Sequence, residues 1–121
     1  MKQKRVYFIG IGGIGVSSLA QYYLSTGWKV SGSDAVRSEI TDELKKKGVK
    51  IFTRPGRASL NHVDLVIHSA AIKSDNPDLI EAKKLGIKTQ IYSEAIGELT
   101  KKYFTIAVSG SHGKSTTTAL V

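Results

Sequence analysis

The sequence predicts an α/β protein built on a doubly wound parallel sheet of about five strands, with helices on both faces. Three observations lead to this fold class. Short apolar runs alternate with helix-like segments along residues 5–99. The first run, at residues 5–9, shows no polar alternation, which is typical of a parallel strand covered on both faces. A glycine-rich turn at residues 10–15 joins the first run to the first helix, as is typical of a Rossmann-like domain.

Each predicted element has its own signal in the sequence. Apolar and β-branched residues predict strands at 5–9, 29–33, 49–52, 63–68 and 87–91. Helical spacing of apolar residues predicts helices at 14–25, 77–85 and 93–99, and another between a cap at Ser38 and Gly48. Asn76 followed by Pro77 is a further helix-start signal. Right-handed crossovers then favour the strand order 3-2-1-4-5.

The composition indicates a soluble, globular protein and excludes several classes of site. Of the 121 residues, 40% are hydrophobic and 23% are charged, which is sufficient for one domain with a core. There is no cysteine, so disulfide frameworks and thiolate metal sites are excluded. No apolar stretch approaches the ~20 residues of a membrane span, and the basic start lacks the features of a signal peptide. A cytoplasmic location is therefore expected.

The formal charge of +8 does not by itself predict nucleic-acid binding. The lysines at 45–47 and 83–84 stand just before Gly48 and Gly86, where cations match the negative end of a helix dipole. No basic cluster is interleaved with aromatic residues, as nucleic-acid surfaces often are. The positive field favours an anionic nucleotide as the ligand instead.

The glycine turn after the first strand predicts a phosphate-binding site. Gly10 and Gly12 allow a tight turn and a close approach of the backbone to an anion. Gly15 allows the helix to pack closely against the strand. The N-terminus of this helix presents N–H groups and the positive end of its dipole to the anion. A flexible turn is the alternative interpretation, because a GxGxxG pattern alone is a weak signal.

The predicted strand order places the first and fourth strands side by side, so a ligand crevice is expected beyond their carboxyl ends. Loops 10–15 and 69–76 line this crevice, and Ser33 and Asp34 flank it at the end of the second strand. Asp34 follows the glycine turn at about the spacing of an acid that holds ribose hydroxyls. A turn or helix-capping role for Asp34 is an equal alternative.

An apolar run at 103–108 predicts a sixth strand, which leads into a second phosphate-binding turn. The residues of this turn are Gly110, Ser111, His112, Gly113, Lys114, Ser115 and Thr116. Its N–H groups are expected to wrap phosphates, with Lys114 on the β- and γ-phosphates and the Ser115 hydroxyl on Mg²⁺. A polar helix start is the alternative, and Val108 stands where the full motif has its first glycine.

The two turns suggest two domains. Residues 1–101 are predicted to form a complete nucleotide-binding domain, and residues 102–121 are predicted to be the strand and turn that begin a second one. A domain that binds a triphosphate needs a sheet of its own, and residues 102–121 are too few to form one. We therefore expect the sequence to be a catalytically incomplete piece of a longer protein.

Four stretches, in the same order, resemble the Mur ligases of peptidoglycan synthesis, and the resemblance covers essentially the whole chain. They are residues 8–15, 30–34, 69–72 with 75–77, and 110–119. The shortened second turn is the form that this family has. Ser111 and Ser115 stand where the family usually has threonine and keep its hydroxyl group, whereas Ala70 stands where a hydroxyl is common.

The resemblance implies a UDP-sugar site in the first domain and an ATP site in the second. The implied UDP-substrate residues are Gly10, Gly12, Gly13, Ile14, Gly15, Ser33, Asp34, Ser69, Ala70, Ala71 and Ile72. By this implication residues 12–15 contact the diphosphate through N–H groups, and Ser33, Asp34 and residues 69–72 flank the uridine. Residues 110–116 hold ATP, with Lys114 and Ser115 in catalytic roles.

The resemblance also implies a reaction for the full-length protein. In the branch of the family that the chain resembles most, ATP phosphorylates the lactyl carboxylate of UDP-N-acetylmuramate, and the amine of L-alanine then displaces phosphate from the acyl phosphate. Mg²⁺ and the loop lysine neutralise charge on the transferred phosphoryl group. One alternative is an NAD(P)-binding domain of an oxidoreductase, which has no use for the turn at 110–116. A nucleotide-sensing module without catalysis is the other.

Overall fold

The computed structural model describes residues 3–54 and 56–109, which form five strands and four helices. The strands are β1 (Arg5–Ile9), β2 (Lys29–Ser33), β3 (Lys50–Phe52), β4 (Leu65–His68) and β5 (Lys88–Ile91). The helices are α1 (Ile14–Ser25), α2 (Glu39–Lys46), α3 (Pro77–Lys84) and α4 (Tyr92–Ser109).

The strands form one sheet in the order β3-β2-β1-β4-β5, and every pairing is parallel. The predicted fold class and strand order are therefore confirmed. In the central strand, Val6 pairs with Val30 on one side and with Leu65 on the other. The winding direction reverses between β1 and β4, so the carboxyl ends of these strands open a crevice.

Both faces of the sheet are covered, which explains the apolar runs without polar alternation. Successive residues of β1 point to opposite faces, so Phe8 belongs to one core cluster and Tyr7 to the other. The first cluster includes buried side chains of α1, α2 and α4, such as Leu19, Leu44 and Ala95. The second cluster includes Leu79 of α3.

The predicted helix caps at Ser38 and Asn76 are confirmed. The Ser38 hydroxyl accepts a hydrogen bond from the Thr41 N–H at 3.3 Å, and the Thr41 hydroxyl accepts one from the Ser38 N–H at 2.9 Å. The Asn76 side-chain oxygen accepts from the N–H groups of Asp78 and Leu79. These bonds satisfy N–H groups that have no acceptor within α2 and α3.

Three strands begin slightly later than the sequence predicts, at Lys50, Leu65 and Lys88. Two of these differences have a common cause at the end of a helix. The Val49 N–H donates to the Leu44 carbonyl, and the Ile87 N–H donates to the Ala82 carbonyl. These bonds close the last turns of α2 and α3 around a glycine, so both residues belong to helix ends rather than to strands.

The predicted sixth strand at 103–108 is wrong, because α4 continues without a break from Tyr92 to Ser109. The short helix predicted at 93–99 is therefore much longer in the structure. A short apolar run does not distinguish a strand from a buried helix by its periodicity. A strand also needs a neighbour to pair its N–H and C=O groups, whereas a helix pairs them internally.

A buried polar pair, Tyr7 and Asp78, links β1 to α3. The Tyr7 hydroxyl donates to Oδ2 of Asp78 at 3.2 Å, and the Gly56 N–H donates to Oδ1 of the same carboxylate at 2.8 Å. Asp78 is only 1% exposed, so these bonds supply contacts that water would otherwise make. The pair joins β1, α3 and the loop after β3.

Burial raises the pKa of Tyr7 above its ordinary value of 10, and the nearby Asp78 charge adds to the rise. The unfolded chain therefore loses this proton at a lower pH than the folded chain does. We expect the free energy of unfolding to fall as pH rises above ~10, by up to about 1.4 kcal/mol per pH unit from this group. Urea denaturation at several alkaline pH values should show a shallower decline for Tyr7→Phe. An equally steep fall in the free energy of unfolding for the unaltered chain and Tyr7→Phe would show that Tyr7 does not cause it.

Candidate functional site

A cleft of about 380 Å³ lies beyond the carboxyl ends of β1, β2 and β4. It is lined by Ile9, Gly10, Gly13, Ser33, Asp34, Ala35, Thr53, Ser69, Ala71, Ile72 and Asn76. The cleft occupies the switch point of the sheet, where ligands of open α/β folds bind. Its position agrees with the crevice that the strand order predicts.

The structure brings together most of the residues that the sequence singled out. Seven of them line the cleft, namely Gly10, Gly13, Ser33, Asp34, Ser69, Ala71 and Ile72. Four others do not line it, namely Gly12, Ile14, Gly15 and Ala70. Ile14 is 80% exposed and is the first residue of α1, directly after Gly13, which does line the cleft.

Sequence reasoning did not name Ile9, Ala35 or Thr53 as site residues, although they also line the cleft. Thr53 directly follows β3, so it lies at the carboxyl end of the sheet, as Ser33 does. Its position one residue after a predicted strand could have identified it as a site residue, because ligands bind beyond the carboxyl ends of parallel strands. Asn76, the last residue of the loop predicted to line the crevice, does line the cleft, and it also caps α3.

The glycine turn is held against the end of β2. The N–H groups of Gly10 and Ile11 both donate to the Ser33 carbonyl, at 2.8 and 3.0 Å. Gly10 has a φ of +82°, a conformation that favours glycine. A Cβ atom there would also lie 2.9 Å from the Ser69 hydroxyl oxygen. The turn therefore brings β1, β2 and the loop after β4 together at the cleft.

Helix α1 begins at this turn without a cap from a side chain. Gly13 is its N-cap residue, and among the described residues no side chain accepts a bond there or places an acid in the first turn. The helix itself offers no acceptor to its first N–H groups, including those of Ile14 and Gly15. By contrast, α2 and α3 are both capped by side chains. The uncapped end is suited to an anionic ligand, which the helix dipole also favours.

Asp34 contacts the glycine turn rather than pointing freely into the cleft. Its Oδ2 accepts the Gly12 N–H at 2.8 Å, and its Oδ1 accepts the Val36 N–H at 2.9 Å. The turn role, one of two alternatives from the sequence, is therefore present. A ribose contact remains a prediction. The Gly12 N–H already has an acceptor in this structure, so its predicted diphosphate contact requires Asp34 to move.

Gly15 is required for a contact that the sequence did not predict. A Cβ atom at Gly15 would lie 2.6 Å from the hydroxyl oxygen and 2.7 Å from the ring of Tyr92. The sequence attributed this glycine to close packing of the helix on a strand. Its nearest neighbour is instead the first residue of α4, so Gly15 allows α1 and α4 to approach each other.

The second predicted turn, residues 110–116, lies outside the described residues, as do the catalytic and Mg²⁺ roles assigned to Lys114 and Ser115. Within residues 3–54 and 56–109, no three histidine, aspartate or glutamate side chains gather as metal ligands. No helix in the same part of the chain is long and apolar enough to cross a membrane.

Known proteins are similar to this chain in sequence and in fold. The chain is 52% identical over 121 residues to the UDP-N-acetylmuramate–L-alanine ligase of Acetivibrio thermocellus, and it covers 26% of that enzyme. It is 46% identical over 119 residues to the ligase of the same name from Clostridium perfringens, again covering 26% of the relative. These matches include 99% and 98% of the chain, so the chain spans about a quarter of the length of the curated relatives it matches.

A solved structure of the UDP-N-acetylmuramate–alanine ligase of Thermotoga maritima superposes on 82% of the chain, with a TM-score of 0.72 and 31% identity. The chain covers 23% of that protein. A family model described as "Mur ligase family, catalytic domain" matches residues 5–104. This match covers most of the chain, and it includes the sheet, the glycine turn and the cleft. The chain therefore belongs to the Mur ligase family.

Proposed function

We propose that the chain is the substrate-binding part of a UDP-N-acetylmuramate–L-alanine ligase and that the cleft holds the UDP end of UDP-N-acetylmuramate. The observation that carries this proposal is the uncapped N-terminus of α1 beside a cleft of about 380 Å³ at the sheet switch point. The names of the Acetivibrio and Clostridium perfringens relatives, which are 52% and 46% identical to the chain, support this choice of substrate.

In this proposal the diphosphate lies against the first turn of α1. The N–H groups of Gly13, Ile14 and Gly15 are at or next to the start of the helix, where the dipole favours negative charge. Among them, the Gly13 N–H already makes a 3.3 Å bond to the Gly10 carbonyl, so Ile14 and Gly15 are the main donors. No acid in the first turn of α1 repels the phosphates.

The uridine is placed between the end of β2 and the loop after β4. Ser33 and Asp34 form one side of this space, and Ser69, Ala71 and Ile72 form the other. Ile72 and the end of β1 supply apolar surface for the base. Ala70 is exposed and offers only backbone groups, so it is the weakest member of the predicted set.

The complete reaction belongs to the full-length protein. We infer that a second domain begins after α4, rather than at residue 102, and that residues 110–116 bind ATP and Mg²⁺ there. There ATP would activate the carboxylate of UDP-N-acetylmuramate for attack by L-alanine, in the cytoplasm. The chain alone is expected to bind the UDP substrate and to have no ligase activity.

An NAD(P)-binding domain of an oxidoreductase is the main rival, because it shares the glycine turn and an acid after the second strand. The ligase relatives and the turn at 110–116 argue against it. Calorimetric titration of the chain with UDP, UDP-N-acetylmuramate and NAD distinguishes the two. We expect saturable binding of both uridine nucleotides and none of NAD at the same concentrations. Saturable binding of NAD with none of UDP would overturn the ligase proposal.

A further inference from the structure

Asp34 forms a bridge between two backbone N–H groups at the mouth of the cleft. One carboxylate oxygen accepts from Gly12 and the other accepts from Val36, at 2.8 and 2.9 Å. The N–H of Asp34 itself donates to the Phe52 carbonyl at 3.0 Å, which fixes the start of the bridge to the end of β3. The carboxylate therefore links the glycine turn to the loop that follows β2.

The space around this bridge is too small for a side chain at position 12. A Cβ atom at Gly12 would lie 2.7 Å from Oδ2 of Asp34 and 3.2 Å from a methyl carbon of Thr41. The absence of a side chain at position 12 thus lets the carboxylate approach the backbone. Thr41 is buried and belongs to the capping box of α2, so it offers no alternative space.

A carboxylate beside a diphosphate site is unfavourable unless its charge is offset. Two like charges a few ångströms apart repel each other, and the repulsion grows as the site loses water. Each of the two N–H bonds to Asp34 offsets part of its charge. The bond from the Gly12 N–H also ties the turn between β1 and α1 to the end of β2.

We propose that Asp34 is a positioning residue for the diphosphate site, acting through the Gly12 N–H. It holds the glycine turn, and with it the uncapped first turn of α1, against the end of β2. This role rests on the proposed function, since it presumes a ligand with a diphosphate. It differs from the role of a ribose ligand, in which the carboxylate contacts the nucleoside directly.

The two roles predict different responses to ligands with and without phosphate. If Asp34 held the ribose, its removal would weaken uridine and UDP by the same factor. If Asp34 positions the turn, its removal weakens UDP and leaves uridine nearly unchanged. The Gly12 amide gives a second readout, because its hydrogen exchange is slowed by an acceptor and speeds up when the acceptor is removed.

The test compares the unaltered chain with Asp34→Ala, Asp34→Asn and Glu43→Ala by NMR titration with UDP and with uridine. Glu43 is an exposed residue of α2 and controls for the loss of one negative charge. We expect UDP affinity to fall at least tenfold in Asp34→Ala, with uridine affinity within twofold. Asparagine offers one acceptor oxygen instead of two, so Asp34→Asn should be intermediate, and Glu43→Ala should match the unaltered chain.

Faster exchange of the Gly12 amide in Asp34→Ala should accompany the loss of UDP affinity, while the thermal midpoint shows that the variant is folded. Equal losses for UDP and uridine, or no loss for either, would overturn the positioning role and leave the proposed function intact. Absence of UDP binding in the unaltered chain would overturn the proposed function, and the positioning role with it. Asp34→Asn gives the same comparison if Asp34→Ala does not fold.

Discussion

Gly32→Ala is expected to lower the free energy of unfolding by about 1–3 kcal/mol, the range for overpacking a core. Gly32 is buried in β2, next to the central strand. A Cβ atom there would lie 2.6 Å from the Phe8 carbonyl oxygen and 2.7 Å from a methyl carbon of Ile11. The carbonyl belongs to the strand backbone, so relief requires β1 and β2 to move apart.

Urea denaturation followed by circular dichroism measures this change, and Gly97→Ala is the matched control. Gly97 lies inside α4, and a Cβ atom there would have nothing within 4 Å. Because alanine favours a helix over glycine, this control should stabilise the protein by about 0.5–1 kcal/mol. If Gly32→Ala and Gly97→Ala changed the free energy of unfolding equally, the tight packing between β1 and β2 would be disproved.

Gly12→Val is expected to weaken UDP binding at least tenfold while the chain remains folded. The valine Cβ would displace the Asp34 carboxylate, which lies 2.7 Å from its position. Since this carboxylate is the end of a side chain, it can rotate away without moving a strand. When the carboxylate rotates away, its hydrogen bond to the residue-12 N–H is lost, and the turn is no longer held in one geometry.

Calorimetric titration with UDP measures the loss of affinity, and the thermal midpoint checks that the variant is folded. Gly97→Ala again serves as the control, because α4 contacts no part of the cleft lining at that position. UDP affinity within twofold of the unaltered chain would mean that the geometry of the glycine turn does not determine phosphate binding.

The sequence predicts the sheet well because its signals are local and agree with one another. The strand Arg5–Ile9 is hydrophobic after its first residue, and the structure buries residues 6–9 between two covered faces. Capping residues such as Ser38 and Asn76 act within a single turn, so their roles can be read from a few neighbouring positions. Two of the three differences at strand starts reflect helix-end bonds, at Val49 and Ile87, which adjoin β3 and β5 but are not part of them.

The extent of α4 could not be predicted in the same way. The apolar run at 103–108 has the composition of a strand, and its conformation depends on what lies beside it. Among the described residues, β1 already has β2 and β4 as neighbours, and the sheet offers no interior position for a sixth strand. Continuation of the helix from Tyr92 satisfies the backbone of this segment without a partner strand.

Details of the site depend on contacts between residues far apart in the sequence. Gly12 bonds to Asp34, and Tyr92 approaches Gly15 closely. Both contacts form only when the sheet and its helices assemble, and no spacing in the sequence specifies them. The sequence could identify the glycine turn and the acid as members of one site. It could not show that the acid occupies one of the N–H groups assigned to the ligand.

A crystal structure of this chain grown with UDP tests the central claim most directly. We predict density for the diphosphate within hydrogen-bonding distance of the N–H groups of Ile14 and Gly15. The uridine should lie between Asp34 and the loop at 69–72. The assignment of this cleft to the UDP substrate would be contradicted by nucleotide density at the amino ends of the strands. It would also be contradicted by a cleft that stays empty at saturating UDP.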